Sequence, residues 1–177
     1  MKLLTVKELD MKSCIKIGLL LLCTVLSCSC SLFGRSSSGS PSGGVPFKEN
    51  AMTASIKGDP QLNLYQNRPH PVYLCIYQLK DPNGFNQLTA EKDGIEKLME
   101  CSRFDGSVAY AKRLVVQPGQ ELVEKGDRAE GARFLGVVAG YYDLQKEHVT
   151  RLNPITRSKF SMALELGPRQ IQNIKVK

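Results

Sequence analysis

Phe160-Ser-Met-Ala-Leu-Glu-Leu166 is the stretch whose pattern decides the fold class. Phe160, Met162, Leu164 and Leu166 alternate with Ser161, Ala163 and Glu165. Successive side chains of an extended chain point to opposite faces, so this segment can bury one face and wet the other. Gly167-Pro168 then turns the chain into a last strand, Gln170 to Val176. Upstream, Phe134 to Tyr142 (FLGVVAGYY) is the most apolar segment beyond the N-terminal region and is expected to be a core strand. Its Gly136 and Gly140 mark bulges or close backbone approach.

The same pattern recurs toward the N-terminus. Val108 to Val116 is a strand with Val108, Tyr110, Leu114 and Val116 on one face. Pro118-Gly119 turns it into Gln120 to Lys125, and Gly126 to Arg133 is polar loop. Val72 to Leu79 (VYLCIYQL) is β-branched and aromatic on both faces, which suits a central strand. In Ala51 to Lys57, Met52, Ala54 and Ile56 oppose Thr53, Ser55 and Lys57. Seven strands result, with Val149 to Leu152 a candidate eighth, and turn signals between short strands predict a mainly β, two-sheet sandwich. The period changes once, after Asp81-Pro82-Asn83-Gly84. Phe85 and Leu88, then Ile95, Leu98 and Met99, have helical spacing, and Asp93 with Glu96 has the form of a capping box. A two-part helical insertion is expected at about 85–101, against an edge or end of the sheets.

Between the first two strands runs a long connection, Gly58 to Pro71, which includes Gln61-Leu-Asn-Leu-Tyr-Gln-Asn-Arg-Pro-His-Pro71. Pro69 and Pro71 force extended backbone around His70. Leu62, Leu64, Tyr65 and Arg68 are the residue types that carry contact energy at interfaces; the alternative for Leu62 or Leu64 is to plug the end of the sandwich, which leaves Tyr65 and Arg68 the better candidates. The candidate contact set is Leu62, Asn63, Leu64, Tyr65, Gln66, Asn67, Arg68 and His70.

Before the sandwich, residues 31–46 (SLFGRSSSGSPSGGVP) are too poor in apolar surface to fold and are expected to act as a flexible tether. Leu19 to Ser31 (LLLLCTVLSCSCS) is an aliphatic run that follows Lys12 and Lys16 and ends in cysteines. It is about half the length of a membrane-spanning helix and has the form of a secretory signal. Val25-Leu26-Ser27-Cys28 resembles the lipobox of bacterial lipoproteins, in which diacylglycerol alkylates the thiol before cleavage. The expected organisation is therefore a signal at 1–27, lipidated Cys28 and linker at 28–46, and the sandwich at 47–177. Cys30 is a rival to Cys28, and an ordinary cleaved signal is the alternative to a lipobox. Met11-Lys-Ser-Cys-Ile-Lys16 begins a more conventional signal than Met1 does. Ser29 rather than Asp follows Cys28, which by analogy with enterobacterial sorting directs the product to the outer membrane.

Of the chain's 177 residues, 24 are basic and 17 acidic, a net charge of +7. The basic residues are scattered, so a solvated surface explains them better than nucleic-acid binding does. His70 and His148 are the chain's two histidines, without metal-ligand spacing, and no nucleotide-binding fingerprint occurs. Neither catalysis nor a cofactor is expected. Cys75 and Cys101 are the cysteines of the sandwich, and an oxidising compartment permits a disulfide between them, two buried free thiols being the alternative.

Several of these features together resemble one family. The lipobox, the long loop ending in Arg68-Pro-His-Pro-Val72, Tyr77-Gln-Leu79, and a helical insertion opening at Phe85 form the first half. Leu114-Val-Val-Gln-Pro-Gly119 and Leu135-Gly-Val-Val-Ala-Gly-Tyr-Tyr-Asp-Leu144 form the second. Their order is similar to that of the TssJ (SciN) lipoproteins of type VI secretion systems, over about residues 52–177. The resemblance implies a transthyretin-like sandwich that hangs from the outer membrane into the periplasm. It also implies that the loop between the first two strands helps to hold the periplasmic C-terminal region of TssM. No small-molecule substrate is implied; a pilotin or small-ligand carrier on the same sandwich is the alternative.

Burying acyl methylenes holds a multiply acylated cysteine far more firmly at a membrane than a single chain would. Cys28→Ser is therefore expected to abolish incorporation of labelled palmitate and to release the protein from outer-membrane fractions. Incorporation that survives Cys28→Ser but not Cys30→Ser would move the anchor to Cys30.

Overall fold

A computed structural model describes residues 44–177. The expected signal, Cys28, Cys30 and the linker as far as residue 43 lie outside the described residues. The described chain contains β1 (Lys48–Gly58), β2 (Val72–Leu79), α1 (Asn83–Ala90), α2 (Gly94–Leu98), β3 (Val108–Val116), β4 (Glu121–Arg128), β5 (Phe134–Gly140), α3 (Lys146–Val149), β6 (Thr150–Pro154), β7 (Phe160–Leu166) and β8 (Ile171–Val176). The strands form two four-stranded sheets, ordered β4-β1-β7-β8 and β3-β2-β5-β6. β1 and β7 are parallel, and every other pair is antiparallel. The mainly β, two-sheet sandwich is thus as the alternation required, and Thr150–Pro154 supplies the eighth strand.

The period-two pattern fills the space between the sheets. Met52, Ala54 and Ile56 on β1 register with Phe160, Met162 and Leu164 on β7, and all are buried. They face Val72, Leu74 and Ile76 on β2 with Leu135, Val137 and Ala139 on β5, buried likewise. Gln78 continues this inner row and is fully buried, yet both ends of its amide are satisfied. Its Nε2 donates to Asp127 O at 2.7 Å and its Oε1 accepts from Ala129 N–H at 2.9 Å, so it cross-links β2 to the end of β4. A buried amide with these partners adds specificity where an unpaired one would cost stability. At one open side of the sandwich Lys112 on β3 pairs with Glu124 on β4; at the other Arg151 on β6 donates to Ile171 O on β8 at 2.5 Å.

Several local expectations are corrected. β4 continues through Gly126 to Arg128 rather than ending at Lys125, because Met52 pairs with Gly126 and Lys48 with Arg128. β5 stops at Gly140, two residues earlier than expected. On β3, Tyr110 is exposed and Leu114 half-buried, as suits an edge strand whose face also carries Lys112. The capping box is absent: Asp93 has φ 59° and its side chain caps nothing. Gly94 sits so tightly on the end of α1 that a Cβ would lie 1.9 Å from Leu88 O, and the chain turns left-handed to reach it.

The helical insertion lies across a face, not an edge or end. Tyr77 projects from the outer side of β2 into the insertion, with ring centroids 6.1 Å from Phe85 and 5.7 Å from Phe104, and its hydroxyl donates to Leu98 O. Burial pushes that hydroxyl's pKa up to about 12. Gly136, opposite Tyr77, leaves room for the Phe85 ring, since a Cβ there would meet Phe85 Cε2 at 2.8 Å. Gly140 does the same for Met99. A disulfide joins Cys75 on β2 to Cys101 at the end of the insertion, Cα to Cα 5.3 Å.

No helix among the described residues is long and apolar enough to cross a membrane. Residues 44–177 form a compact unit with its own core, as expected of a domain able to fold alone.

Because Cys75 and Cys101 are 26 residues apart, their cross-link restricts the unfolded chain by about 3–4 kcal/mol on the chain-entropy model. Non-reduced protein should therefore take up no alkylating reagent at either thiol, and reduction should lower its urea-unfolding free energy by about that amount. Two alkyl groups found without reductant would show the bridge to be absent in solution.

Candidate partner-binding site

The connection after β1 is built, not loose. Asp59 N–H donates to Leu166 O at 2.8 Å, and Leu62 N–H returns to Asp59 O at 2.9 Å. Leu62 is fully buried and closes the end of the core. Asn63 follows in a left-handed conformation, φ 50°, a backbone region that Asn tolerates better than most residues do. Its buried amide donates to Pro71 O at 3.2 Å and accepts from Tyr142 N–H at 2.9 Å. One side chain thus holds the loop's exit and the end of β5 together. Leu64 N–H donates to Pro168 O at 2.7 Å, which adds the β7–β8 turn to the same assembly.

From this base a small hairpin stands out. Tyr65 and Arg68 exchange two backbone hydrogen bonds of 2.9 Å, and Gln66 and Asn67 between them have φ 49° and 57°. Two positive φ values at the tip define a type I′ turn, which matches the natural twist of a two-residue hairpin. Tyr65, Gln66, Asn67 and Arg68 are exposed. Tyr65 is 46% exposed and stacks on Tyr142, itself 57% exposed, with centroids 4.3 Å apart. His70 meets Tyr142 edge-on at 5.0 Å and Tyr65 at 6.4 Å.

Two surface grooves flank this stack. One of about 300 Å³ runs beside Leu64, Asp143 and Arg169; another of about 550 Å³ runs beside Pro71, Tyr73 and Val115. Tyr73 and Val115 are cross-strand partners and both exposed, which extends the apolar surface along the sheet. Tyr141 points the other way, is buried, and donates to Gln170 O at 2.9 Å; burial raises its pKa.

Of the residues singled out from the sequence, Tyr65, Gln66, Asn67 and Arg68 are presented together, with Leu64 and His70 half-buried beneath them. Leu62 and Asn63 require correction: both are interior, so they shape the loop and cannot face a partner. Tyr142 was missed because it falls within a run that reads as core strand. No alternation marks it, since Leu135 to Ala139 are buried on both faces of β5 and the tyrosine pair follows directly. Among the described residues, no cluster of three His, Cys, Asp or Glu side chains could hold a metal ion.

Comparison with known proteins places these features. A family model described as type VI secretion lipoprotein (VasD, EvfM, TssJ) matches residues 50–175, more than half of the chain. No curated protein sequence matches. Among solved structures, the lipoprotein TssJ1 of Pseudomonas aeruginosa is 23% identical with a TM-score of 0.60, covering 75% of this chain and 98% of that one. A chain of the structure described as the TssM C-terminal domain (869–1107) from EAEC is 19% identical with a TM-score of 0.56, covering 70% and 96%. Serratia marcescens Lip, described as a membrane-bound component of the type VI secretion system, is 16% identical with a TM-score of 0.55, covering 72% and 98%. At these identities the structural likeness shows a shared fold, and the family model carries the membership. The chain belongs to the type VI secretion lipoprotein family.

Proposed function

We propose that this protein is an outer-membrane lipoprotein of the type VI secretion membrane complex, anchored through Cys28, with its sandwich in the periplasm. Its hairpin pole grips the periplasmic C-terminal region of TssM. The observation that carries the proposal is the exposed Tyr65–Tyr142 stack on a tight hairpin, in a chain of this secretion family. β1 enters the sandwich from the tether and leaves it at the hairpin, so its eleven residues separate the two ends by about 35 Å. A partner reaching across the periplasm would meet the hairpin end first.

The hairpin suits docking for physical reasons. Its hydrogen-bonded tip and Asn63 fix the backbone before a partner arrives, so little order must be gained on binding. Exposed Tyr and Arg are the side chains on which interface energy concentrates. The space between the sheets is filled with buried aliphatic side chains, which favours an anchoring domain over a carrier that would need an interior cavity.

Tyr65→Ala with Arg68→Ala, or Tyr142→Ala alone, should leave the melting temperature within a few degrees. Each variant should weaken calorimetric binding to the TssM periplasmic fragment by about 2 kcal/mol or more. Leu62→Ala, in contrast, empties a core site and should destabilise the domain by about 2–5 kcal/mol. Unchanged affinity of the Tyr and Arg variants would reject the hairpin as the docking site. Failure of the unmodified domain to bind would reject TssM as the partner.

A further inference from the structure

The outer faces of the two sheets differ. The helical insertion covers that of β2 and β5, whereas the outer face of β4-β1-β7-β8 is exposed, with Ser55, Lys125, Ser161, Ala163 and Lys175 open to solvent. Register lays this face out in rows. Closest to where the tether enters, Lys125, Thr53, Ser161 and Lys177 lie side by side. Next come Val123, Ser55, Ala163 and Lys175, and then Glu121, Lys57, Glu165 and Asn173. Short side chains make a flat floor, and long cations frame it.

The charge is graded along the strands. Around the tether end, Arg157 and Lys159 join Lys177 at a shallow depression of about 380 Å³, and Lys48 Nζ donates to Ser158 Oγ at 3.2 Å beside it. The acids at this end are Glu49, Asp127 and Glu130; Asp127 accepts from Asn50 N–H at 2.8 Å, and Glu130 precedes Gly131, whose N–H donates to Val45 O at 2.7 Å. Glu121 and Glu165 lie in the far row, where Glu121 pairs with Lys57 at 3.1 Å. Among the described residues the ion pairs are Lys57–Glu121 and Lys112–Glu124, so the cations at the tether end are in none of them.

We propose that this basic face lies on an anionic phospholipid surface, that of the membrane holding the chain's own lipid. The choice of membrane rests on the Cys28 anchor proposed above. Two observations select this occupant. The Ser/Gly-rich sequence between Cys28 and Gly44, taken as a flexible tether, would reach roughly 20–25 Å, and the domain's first strand begins just after it at Lys48, inside the basic cluster. The cluster is therefore the part of the domain most concentrated at the bilayer, and lysines within about 8–10 Å of anionic headgroups are attracted to them. A face of mostly short side chains with a cationic frame can lie flat there, with Val123, 60% exposed, in its middle row. The hairpin pole, at the other end of β1, stays clear of the bilayer and open to a partner.

The test uses a chain beginning at Ser29, which has no acyl group, so that its outcome does not depend on Cys28. The probes are vesicles of phosphatidylcholine alone and of phosphatidylcholine with phosphatidylglycerol. Co-flotation is expected with the phosphatidylglycerol vesicles only, and is expected to disappear as salt rises from about 0.05 to 0.5 M. Lys125→Glu/Lys159→Glu/Lys175→Glu should weaken it at least about tenfold. Lys92→Glu/Lys97→Glu/Arg103→Glu, an equal charge change on and beside the helical insertion over the opposite sheet, should leave most of it. Equal flotation with neutral vesicles, none with anionic ones, or equal loss in both variants would overturn the proposal. Loss of TssM-fragment binding in the first variant, without vesicle binding by the parent chain, would assign the face to a protein partner instead.

Discussion

The burial of β2 on both faces from Leu74 to Leu79 is the constraint on which the rest of this structure depends. Its inner side chains, Val72, Leu74 and Ile76, belong to the space between the sheets, while Cys75 and Tyr77 on its outer side are equally buried. A strand of this kind cannot face water, so something must cover the outer sheet. The helical insertion does so, seated by two glycines on β5 that admit Phe85 and Met99 and fastened by the Tyr77 hydroxyl and the Cys75–Cys101 bridge. Short helices of eight and five residues would not hold together by themselves in water; their stability comes from this packing.

Covering one sheet leaves the two faces of the sandwich unlike. The face under the insertion is apolar and closed; the opposite one has a Thr/Ser/Ala floor and Lys at its margins. The ends are unlike as well. At one, β1 receives the tether among basic residues; at the other, Asn63, Leu64 and Tyr141 knit three connections into a rigid base for an exposed aromatic hairpin. A domain with two different ends and two different faces can meet a membrane and a protein partner without the two competing for one surface.

The hairpin also shows why short loops are hard to read. Gln66-Asn67 is a weak signal for a type I′ turn, for which Asn-Gly or Asp-Gly is the usual mark. Its positive φ values go with the reciprocal Tyr65–Arg68 hydrogen bonds, and the hairpin stands on contacts that no local pattern records, those of Leu64 with Pro168 and of Asn63 with Tyr142. Leu62 and Leu64 look alike in the sequence, yet one is fully buried and the other only partly, since Asn63 between them reverses the backbone direction. Asp93 is comparable: its spacing to Glu96 suits a cap, but the close seating of Gly94 on α1 forces it left-handed.

What the sequence determined by itself was whatever rests on local periodicity and composition. Alternation in Phe160–Leu166 and its counterparts forces a half-buried strand wherever it occurs, because the side-chain period of an extended chain is two. The Ser/Gly stretch, the aliphatic run before Cys28 and the change of period after Asn83 are legible for the same reason. Only the tertiary structure decided which face the insertion covers, that Tyr142 stacks on Tyr65, and that lysines from β4, β8 and the β6–β7 connection share one surface. These pair residues far apart in the chain, and strand order and register, to which local patterns are blind, bring them together.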